Sequence, residues 1–202
     1  MKKIITIMIS IFFLFVNHVY AKETVKLSRC VDGDTFRIYI EDKEYIVRML
    51  SIDTPESVKE GKEVEYYGKE SSDYTCKKIT NAKKIELEYD EKSDKYDKYD
   101  RLLAWVFIDN KLLQEELVEK GYAKVAYLYN DYKYSNILKE KQELASSQSI
   151  GIWDMTAKKE YEQNKQEEPN VEKHENIEII FITIILLIIT FIFKLLKLPK
   201  RH

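Results

Sequence analysis

Residues 25–56, VKLSRCVDGDTFRIYIEDKEYIVRMLSIDTPE, contain three short runs rich in β-branched and aromatic residues. The runs are Val25–Val31, Thr35–Ile40 and Tyr45–Ile52, and polar turns at 32–34 and 41–43 separate them. Runs of this kind with tight polar turns between them predict three antiparallel strands in a meander.

Two further strands and three helices are predicted downstream of the meander. Apolar or alternating runs predict strands at Ile85–Tyr89 and Leu102–Ile108, and helical composition or spacing predicts helices at Tyr66–Thr80, Leu112–Lys120 and Tyr134–Ser147. Five short strands with a helix inserted before the fourth favour a small barrel, closed or partly open. We therefore expect an α+β fold that is mainly β.

Length and composition limit what the rest of the chain can be. The 202 residues have room for one ordinary domain and some additional segments. With 45% hydrophobic residues, 5 Gly and 3 Pro, the chain is not collagen-like, proline-rich or largely disordered. The net charge of −2 averages over unlike parts, which are therefore considered separately.

The N-terminus has the pattern of a secretory signal peptide. Two lysines precede an uncharged apolar run at Ile4–Val16, and the small residue Ala21 follows a few positions later. This predicts a signal peptide over 1–21 that is cleaved after Ala21. The alternative is an uncleaved N-terminal anchor.

The C-terminus carries a second apolar segment, with no charge over Ile179–Phe193. The stretch Ile177–Leu198 is long enough to cross a hydrocarbon core of ~30 Å, which predicts a transmembrane helix over 177–198. A buried core helix is the alternative. Because lysines and an arginine follow the segment and glutamates precede it, the basic tail 199–202 is expected inside and the domain outside the cell membrane. The polar stretch 158–176 is expected to be a tether or a frayed charged helix.

The globular segment 22–157 is acidic, with 23 Lys and Arg against 28 Asp and Glu, a net charge of −5. A domain of this charge is a poor non-specific binder of nucleic acid, so any such function must use a local site. The segment holds both cysteines, Cys30 and Cys76, which are expected either to pair or to remain as two partly buried thiols.

Three motifs place charged residues next to strand ends. Asp32-Gly33-Asp34 alone reads as a hairpin turn, Arg48 through Asp53-Thr54-Pro55-Glu56 as a buried salt bridge, and Asp97 through Arg101 as a solvated loop. Together they supply the components of phosphodiester hydrolysis. Asp34 and Asp53 are hard oxygen ligands for a cation, and Arg48 and Arg101 are forked cations for phosphate. Glu56 is a carboxylate that can accept a proton from water.

These and further motifs resemble the staphylococcal nuclease (thermonuclease) family. The resemblance covers about Glu23–Asp154. It is specific because the motifs occur in the family's order and at the family's spacing. They are Val31-Asp32-Gly33-Asp34-Thr35, Arg48 through Glu56, Tyr67-Gly68, Asn81-Ala82-Lys83-Lys84-Ile85, Asp97-Lys98-Tyr99 with Arg101, Leu112–Glu116, Gly121 through Tyr129, and Gly151-Ile152-Trp153.

The resemblance implies an OB-fold barrel with three helices and Ca²⁺-dependent cleavage of DNA and RNA, with single strands preferred and 3′-phosphate products. We expect the chain to act as a monomer. Carried over position by position, the resemblance assigns a catalytic set of Arg48, Glu56 and Arg101, Ca²⁺ ligands Asp34, Asp53 and the Thr54 carbonyl, and nucleotide contacts Lys98, Tyr99, Tyr127 and Tyr129.

Two departures from the family pattern stand out. Ser57 and Val58 follow the glutamate where the best-known member has a His-Pro pair, and Asp100 stands where the family often has Gly. Asp100 is a candidate partner for Arg101. The alternative function is a non-catalytic OB module that binds nucleic acid or a protein at the cell surface. The complete set of acidic and arginine residues favours the enzyme.

Overall fold

The computed structural model describes residues 22–57, 63–167 and 179–190. The predicted signal peptide 1–21, much of the predicted linker, both ends of the predicted membrane span and the tail lie outside the described residues. The chain divides into two compact units, Met1–Met155 and Thr156–His202.

The first unit contains eight strands and three α-helices among its described residues. The elements in chain order are β1 (Glu23–Cys30), β2 (Thr35–Ile40), β3 (Lys43–Met49), β4 (Ile52–Asp53), α1 (Gly68–Thr80), β5 (Ile85–Glu88), β6 (Leu102–Ile108), β7 (Lys111–Leu112), α2 (Leu113–Glu119), β8 (Lys124–Val125), α3 (Ser135–Ser147) and a 3₁₀ turn (Gly151–Trp153).

The five longer strands form a closed barrel. Their order is β3-β2-β1-β5-β6, with antiparallel neighbours throughout. A parallel pairing of β3 with β6, which places Arg48 opposite Leu103, joins the two ends of this sheet. The predicted five-stranded OB-type barrel with three helices is therefore confirmed, and the two-residue strands β4, β7 and β8 are additions to it.

The barrel interior and the helices share one apolar core. Its largest fully buried side chains include an aromatic pair from β2 and β6 and aliphatic residues from the barrel, α1, α2 and α3: Phe36, Trp105, Ile38, Leu87, Leu102, Ile79, Leu113, Leu117 and Leu138. The Trp105 indole donates to Asp90 Oδ2 at 2.9 Å, which satisfies the buried N–H. This packing fixes the wall from which the charged side chains project.

The third strand is shorter than predicted. The expected strand Tyr45–Ile52 ends at Met49, because Ser51 adopts a left-handed backbone conformation with φ of 60°. The chain then resumes as β4, which pairs with β8 and places Asp53 opposite Lys124. The N–H of the next residue, Thr54, donates to Asp34 Oδ2 at 3.0 Å, so the segment after the break lies against the 32–34 turn.

A disulfide links the barrel to α1. Cys30, the last residue of β1, is bonded to Cys76, with 5.6 Å between their Cα atoms. The neighbouring Thr75 is buried, and its hydroxyl donates to the Gly33 carbonyl at 2.8 Å. The turn that carries Asp34 is thus attached to α1 by a covalent bond and a hydrogen bond.

The second unit contains most of α4 (Met155–Glu167). The sequence predicted either a tether or a charged helix from residue 158 onwards, and the described part of that stretch is a helix. Residues 179–190 form a helix, α5, whose side chains are all exposed. No helix within the described ranges is long and apolar enough to cross a membrane.

Candidate active site

The first part of the site is the tight turn before β2. Asp32 Oδ1 accepts the backbone N–H groups of Asp34 (3.0 Å) and Thr35 (2.7 Å), which closes the turn. Only glycine fits at position 33, because a Cβ there would lie 2.6 Å from Thr54 Oγ1. This close approach brings Asp34 against the chain that leaves β4.

Arg48 joins this turn to β4. Its Nη2 lies 3.0 Å from Asp34 Oδ2 and 3.3 Å from Asp53 Oδ1, and its Nη1 donates to the carbonyls of Met49 and Ile52, each at 2.9 Å. The guanidinium is nearly buried, and its position is set by these four contacts. One arginine therefore balances both carboxylates that the sequence assigned to a cation.

Asp34 has an unusual protonation equilibrium. Burial raises the pKa of Asp34 to about 6, although the positive charge of Arg48 opposes the rise. The negative charge of Asp32 raises the pKa further. The Thr54 N–H, which donates to Asp34 Oδ2 at 3.0 Å, lowers it. Positive charge added near a buried carboxylate of this kind stabilises its ionised form.

The donor set suits Ca²⁺. Asp34, Asp53 and the Thr54 carbonyl are all oxygen ligands, and a hard cation prefers oxygen. The two carboxylates also lie within 3.3 Å of one Arg48 nitrogen, so a single charge can serve both. Among the described residues no group of three or more Asp, Glu, His or Cys forms a metal cluster, so the site depends on two carboxylates and the carbonyl.

Arg101 is held by Asp97. Its Nε donates to Asp97 Oδ2 at 2.7 Å and its Nη2 lies 2.6 Å from the same oxygen, while Asp97 Oδ1 accepts the N–H groups of Tyr99 and Arg101. Burial raises the pKa of Asp97, but these hydrogen bonds outweigh it and hold the pKa below its usual range. The candidate pairing with Asp100 is wrong, because the turn over 97–101 directs the carboxylate of Asp97 onto the guanidinium.

Glu56 lies at the end of the segment that follows β4. Its backbone N–H donates to Glu65 Oε2 (3.1 Å), and its carbonyl accepts the Glu65 N–H (2.9 Å). A Cβ at Gly68 would overlap the Glu56 carbonyl, so the start of α1 packs directly against this backbone. Glu65 and Gly68 thus fix the backbone of Glu56.

The predicted nucleotide contacts are exposed aromatic rings with cations beside them. Tyr99, Tyr127 and Tyr129 are 64%, 52% and 79% exposed. Lys98 Nζ lies 5.0 Å and Arg101 Cζ 5.4 Å from the centre of the Tyr99 ring, and Arg48 Cζ lies 5.4 Å from that of Tyr127. Exposed rings beside cations are suited to stacking and to phosphate binding.

All ten residues that the sequence singled out line one groove of about 940 Å³. They are Asp34, Arg48, Asp53, Thr54, Glu56, Lys98, Tyr99, Arg101, Tyr127 and Tyr129. The structure therefore brings the three predicted sets together.

Sequence reasoning did not identify several contacts that support this groove. Asp97 holds Arg101, Thr75 holds the Gly33 carbonyl, and Lys124 Nζ lies 3.2 Å from Asp53 Oδ2. The four-residue spacing of Asp97 and Arg101 was a usable signal for the first contact. The other two join residues more than 40 positions apart and have no local signal.

Comparison with known proteins agrees with this geometry. A family model described as staphylococcal nuclease homologue matches residues 46–155. The chain belongs to the staphylococcal nuclease family. Family members include a thermonuclease of Staphylococcus hyicus, 38% identical over 132 residues that cover 65% of this chain and 76% of that protein.

Two Bacillus subtilis proteins are also similar. The SPbeta prophage-derived endonuclease YokF is 42% identical over 130 residues, and the endonuclease YncB is 41% identical over 130 residues; each match covers 64% of this chain. The matches span 43% and 61% of those two relatives. The family resemblance inferred from the motifs is confirmed.

Proposed function

We propose that this protein is a Ca²⁺-dependent nuclease that hydrolyses phosphodiester bonds of DNA and RNA and prefers single strands. The observation that carries the proposal is the groove in which two arginines, a glutamate, two buried or half-buried aspartates and exposed tyrosines meet. The names of the family members, endonuclease and thermonuclease, support the same reaction class.

In this mechanism the two arginines bind the non-bridging oxygens of the scissile phosphate. Each guanidinium is already oriented, Arg48 by Asp34 and two carbonyls and Arg101 by Asp97. Oriented cations stabilise the charge that develops on phosphorus without further reorganisation. Asp34, Asp53 and the Thr54 carbonyl would hold Ca²⁺, which when bound supplies positive charge beside the phosphate.

Glu56 is the general base of the proposed reaction. It takes a proton from a water molecule whose oxygen bonds to phosphorus, while the bond from phosphorus to the 5′ oxygen breaks and that oxygen gains a proton. The products are a 3′-phosphate and a 5′-hydroxyl. Lys98 and the three exposed tyrosines hold the strand, and since rings stack only on unpaired bases, single strands are preferred.

The proposed location is the outer face of a cell membrane, with the chain acting as a monomer. The N-terminal signal pattern and the basic C-terminal flank support this orientation. The described helix 179–190 carries no charge and ten of its twelve residues are apolar, a composition that favours apolar surroundings.

The test is cleavage of heat-denatured DNA by the full chain in detergent, with Ca²⁺ or with EGTA. We expect EGTA-sensitive cleavage by the wild type and loss of it in Glu56→Gln. The matched control is Glu140→Gln, an exposed glutamate on α3 outside the groove, which should cleave normally. Strand binding without cleavage under any condition would favour the non-catalytic OB module instead.

A further inference from the structure

The groove extends beyond the residues of the proposed reaction. One wall of the extension is the loop that precedes Asp97, and the other is the loop between β8 and α3. We call this part the distal arm; its lining residues are Glu91, Lys92, Ser93, Asp94, Tyr96, Asn130 and Tyr132.

The two walls of the distal arm are tied to each other. The Asn130 amide donates to the Lys92 carbonyl at 2.9 Å, and Lys92 Nζ lies 3.6 Å from Asp131 Oδ2. Deeper in the structure, the Lys133 N–H donates to Asp90 Oδ2 at 2.8 Å. Because both loops are connected at two levels, the arm is a preformed feature of the groove.

Tyr96 is the large exposed ring of this arm. Its side chain is 42% exposed, while its backbone pairs with Leu102 in a β-bridge. The flanking residues are fixed as well, because Leu103 N–H donates to the Lys95 carbonyl and Asp97 N–H to the Arg101 carbonyl, both at 3.0 Å. A rigid backbone thus presents an accessible aromatic face next to the residue that orients Arg101.

The charges of the distal arm do not suit phosphate. Glu91 and Asp94 are negative, and Lys92, the cation among these seven residues, already faces Asp131. What the arm offers a strand is the exposed ring, on which an unpaired base can stack whatever its sequence. The groove volume of about 940 Å³ also lies near the top of the ~300–1,000 Å³ range of ligand pockets.

We infer that the distal arm binds an additional unpaired base of the substrate strand, with Tyr96 as its stacking surface. The inference rests on the proposed nuclease function and deepens it. The substrate is then a strand that reaches beyond the cleaved linkage, and a dinucleotide fills only the part of the groove around Arg48 and Arg101.

The experiment compares Tyr96→Ala with wild type, using the full chain and single-stranded DNA of two or six nucleotides. We expect kcat/KM for the hexanucleotide to fall about 5- to 150-fold, the range for loss of stacking on one ring, and kcat/KM for the dinucleotide to stay unchanged. Tyr96→Phe should behave as wild type, because stacking needs the ring and not the hydroxyl. Tyr39→Ala removes a ring that is 41% exposed outside the groove and should change neither value.

Equal losses on both substrates, or none on either, would overturn the inference while leaving the nuclease function in place. If the wild type cleaves neither strand, the proposed function fails, and fluorescence anisotropy of a labelled hexanucleotide then tests the arm separately. Weaker binding by Tyr96→Ala than by Tyr39→Ala would support the inference, and equal binding would overturn it.

Discussion

Arg48 and Asp34 form a buried ion pair in which Nη2 lies 3.0 Å from Oδ2, and both side chains are less than a tenth exposed. The same nitrogen lies 3.3 Å from Asp53. Breaking a buried pair by removing one partner leaves an uncompensated charge, which costs about 3–5 kcal/mol. Arg48 is therefore expected to be important for stability as well as for turnover.

Replacing Arg48 by methionine should lower the free energy of unfolding by roughly 3–5 kcal/mol, as measured by urea denaturation. Arg37→Met is the control, since Arg37 pairs with Glu44 at 2.8 Å on the surface, where such pairs contribute about 0–1 kcal/mol. Equal losses of unfolding free energy in the two variants would show that the Arg48–Asp34 pair contributes no more to stability than a surface ion pair.

Arg101→Lys should separate catalysis from folding. Lysine keeps the charge but loses the forked geometry with which Arg101 contacts Asp97 and which the proposed reaction uses on the phosphate. We expect kcat to fall about 10²- to 10³-fold, with the free energy of unfolding changed by less than about 1 kcal/mol. Turnover near that of wild type at saturating Ca²⁺ would remove Arg101 from the catalytic set.

The pKa of Asp34 predicts how metal-free stability depends on pH. Since the folded-state pKa of about 6 lies above the ordinary value of 3.8, the folded protein holds this proton more tightly than the unfolded chain. The contribution of the carboxyl is greatest below the ordinary pKa and is lost as the pH rises to 6. Relative to Asp34→Asn, the wild type in EGTA should lose about 2 kcal/mol between pH 4 and 7, measured by urea denaturation at each pH. A pH-independent difference would contradict the raised pKa.

The Cys30–Cys76 disulfide should stabilise the domain. Cross-links across loops of this length contribute about 2–4 kcal/mol, and this one spans 46 residues. Dithiothreitol should therefore lower the free energy of unfolding of the wild type by that amount. The double variant Cys30→Ser/Cys76→Ser should start at the lower value and show no response to reductant; a response there would point to some other effect of the reagent.

Local patterns predicted most of the scaffold. Alternation and turn residues located the five barrel strands, and the strand period placed Arg48 among apolar neighbours. The three helices of the barrel domain also follow from spacing and composition. These features depend on residues close together in the sequence, which is why the sequence alone predicts them.

The remaining features depend on distant contacts or on one backbone angle. The left-handed Ser51 ends β3 early, and no sequence signal distinguishes it from a strand residue. The pairing of Cys30 with Cys76 required the distance between β1 and α1. Tyr96 lies in a polar stretch that predicts only a loop. Its position in the groove depends on the loop between β8 and α3, which is distant from it in the sequence.

The break at Ser51 also places the two carboxylates of the site on elements that differ in local stability against unfolding. Arg48 belongs to the closed barrel and Asp34 to the turn that leads into it, whereas Asp53 belongs to a two-residue ribbon paired with β8. A short ribbon can open locally while the barrel stays intact, so amide hydrogens of the ribbon should exchange with solvent faster than those of β2 and β3. Local opening of the ribbon would move Asp53 relative to Asp34, so the spacing of the two carboxylates depends on the less stable of the two elements.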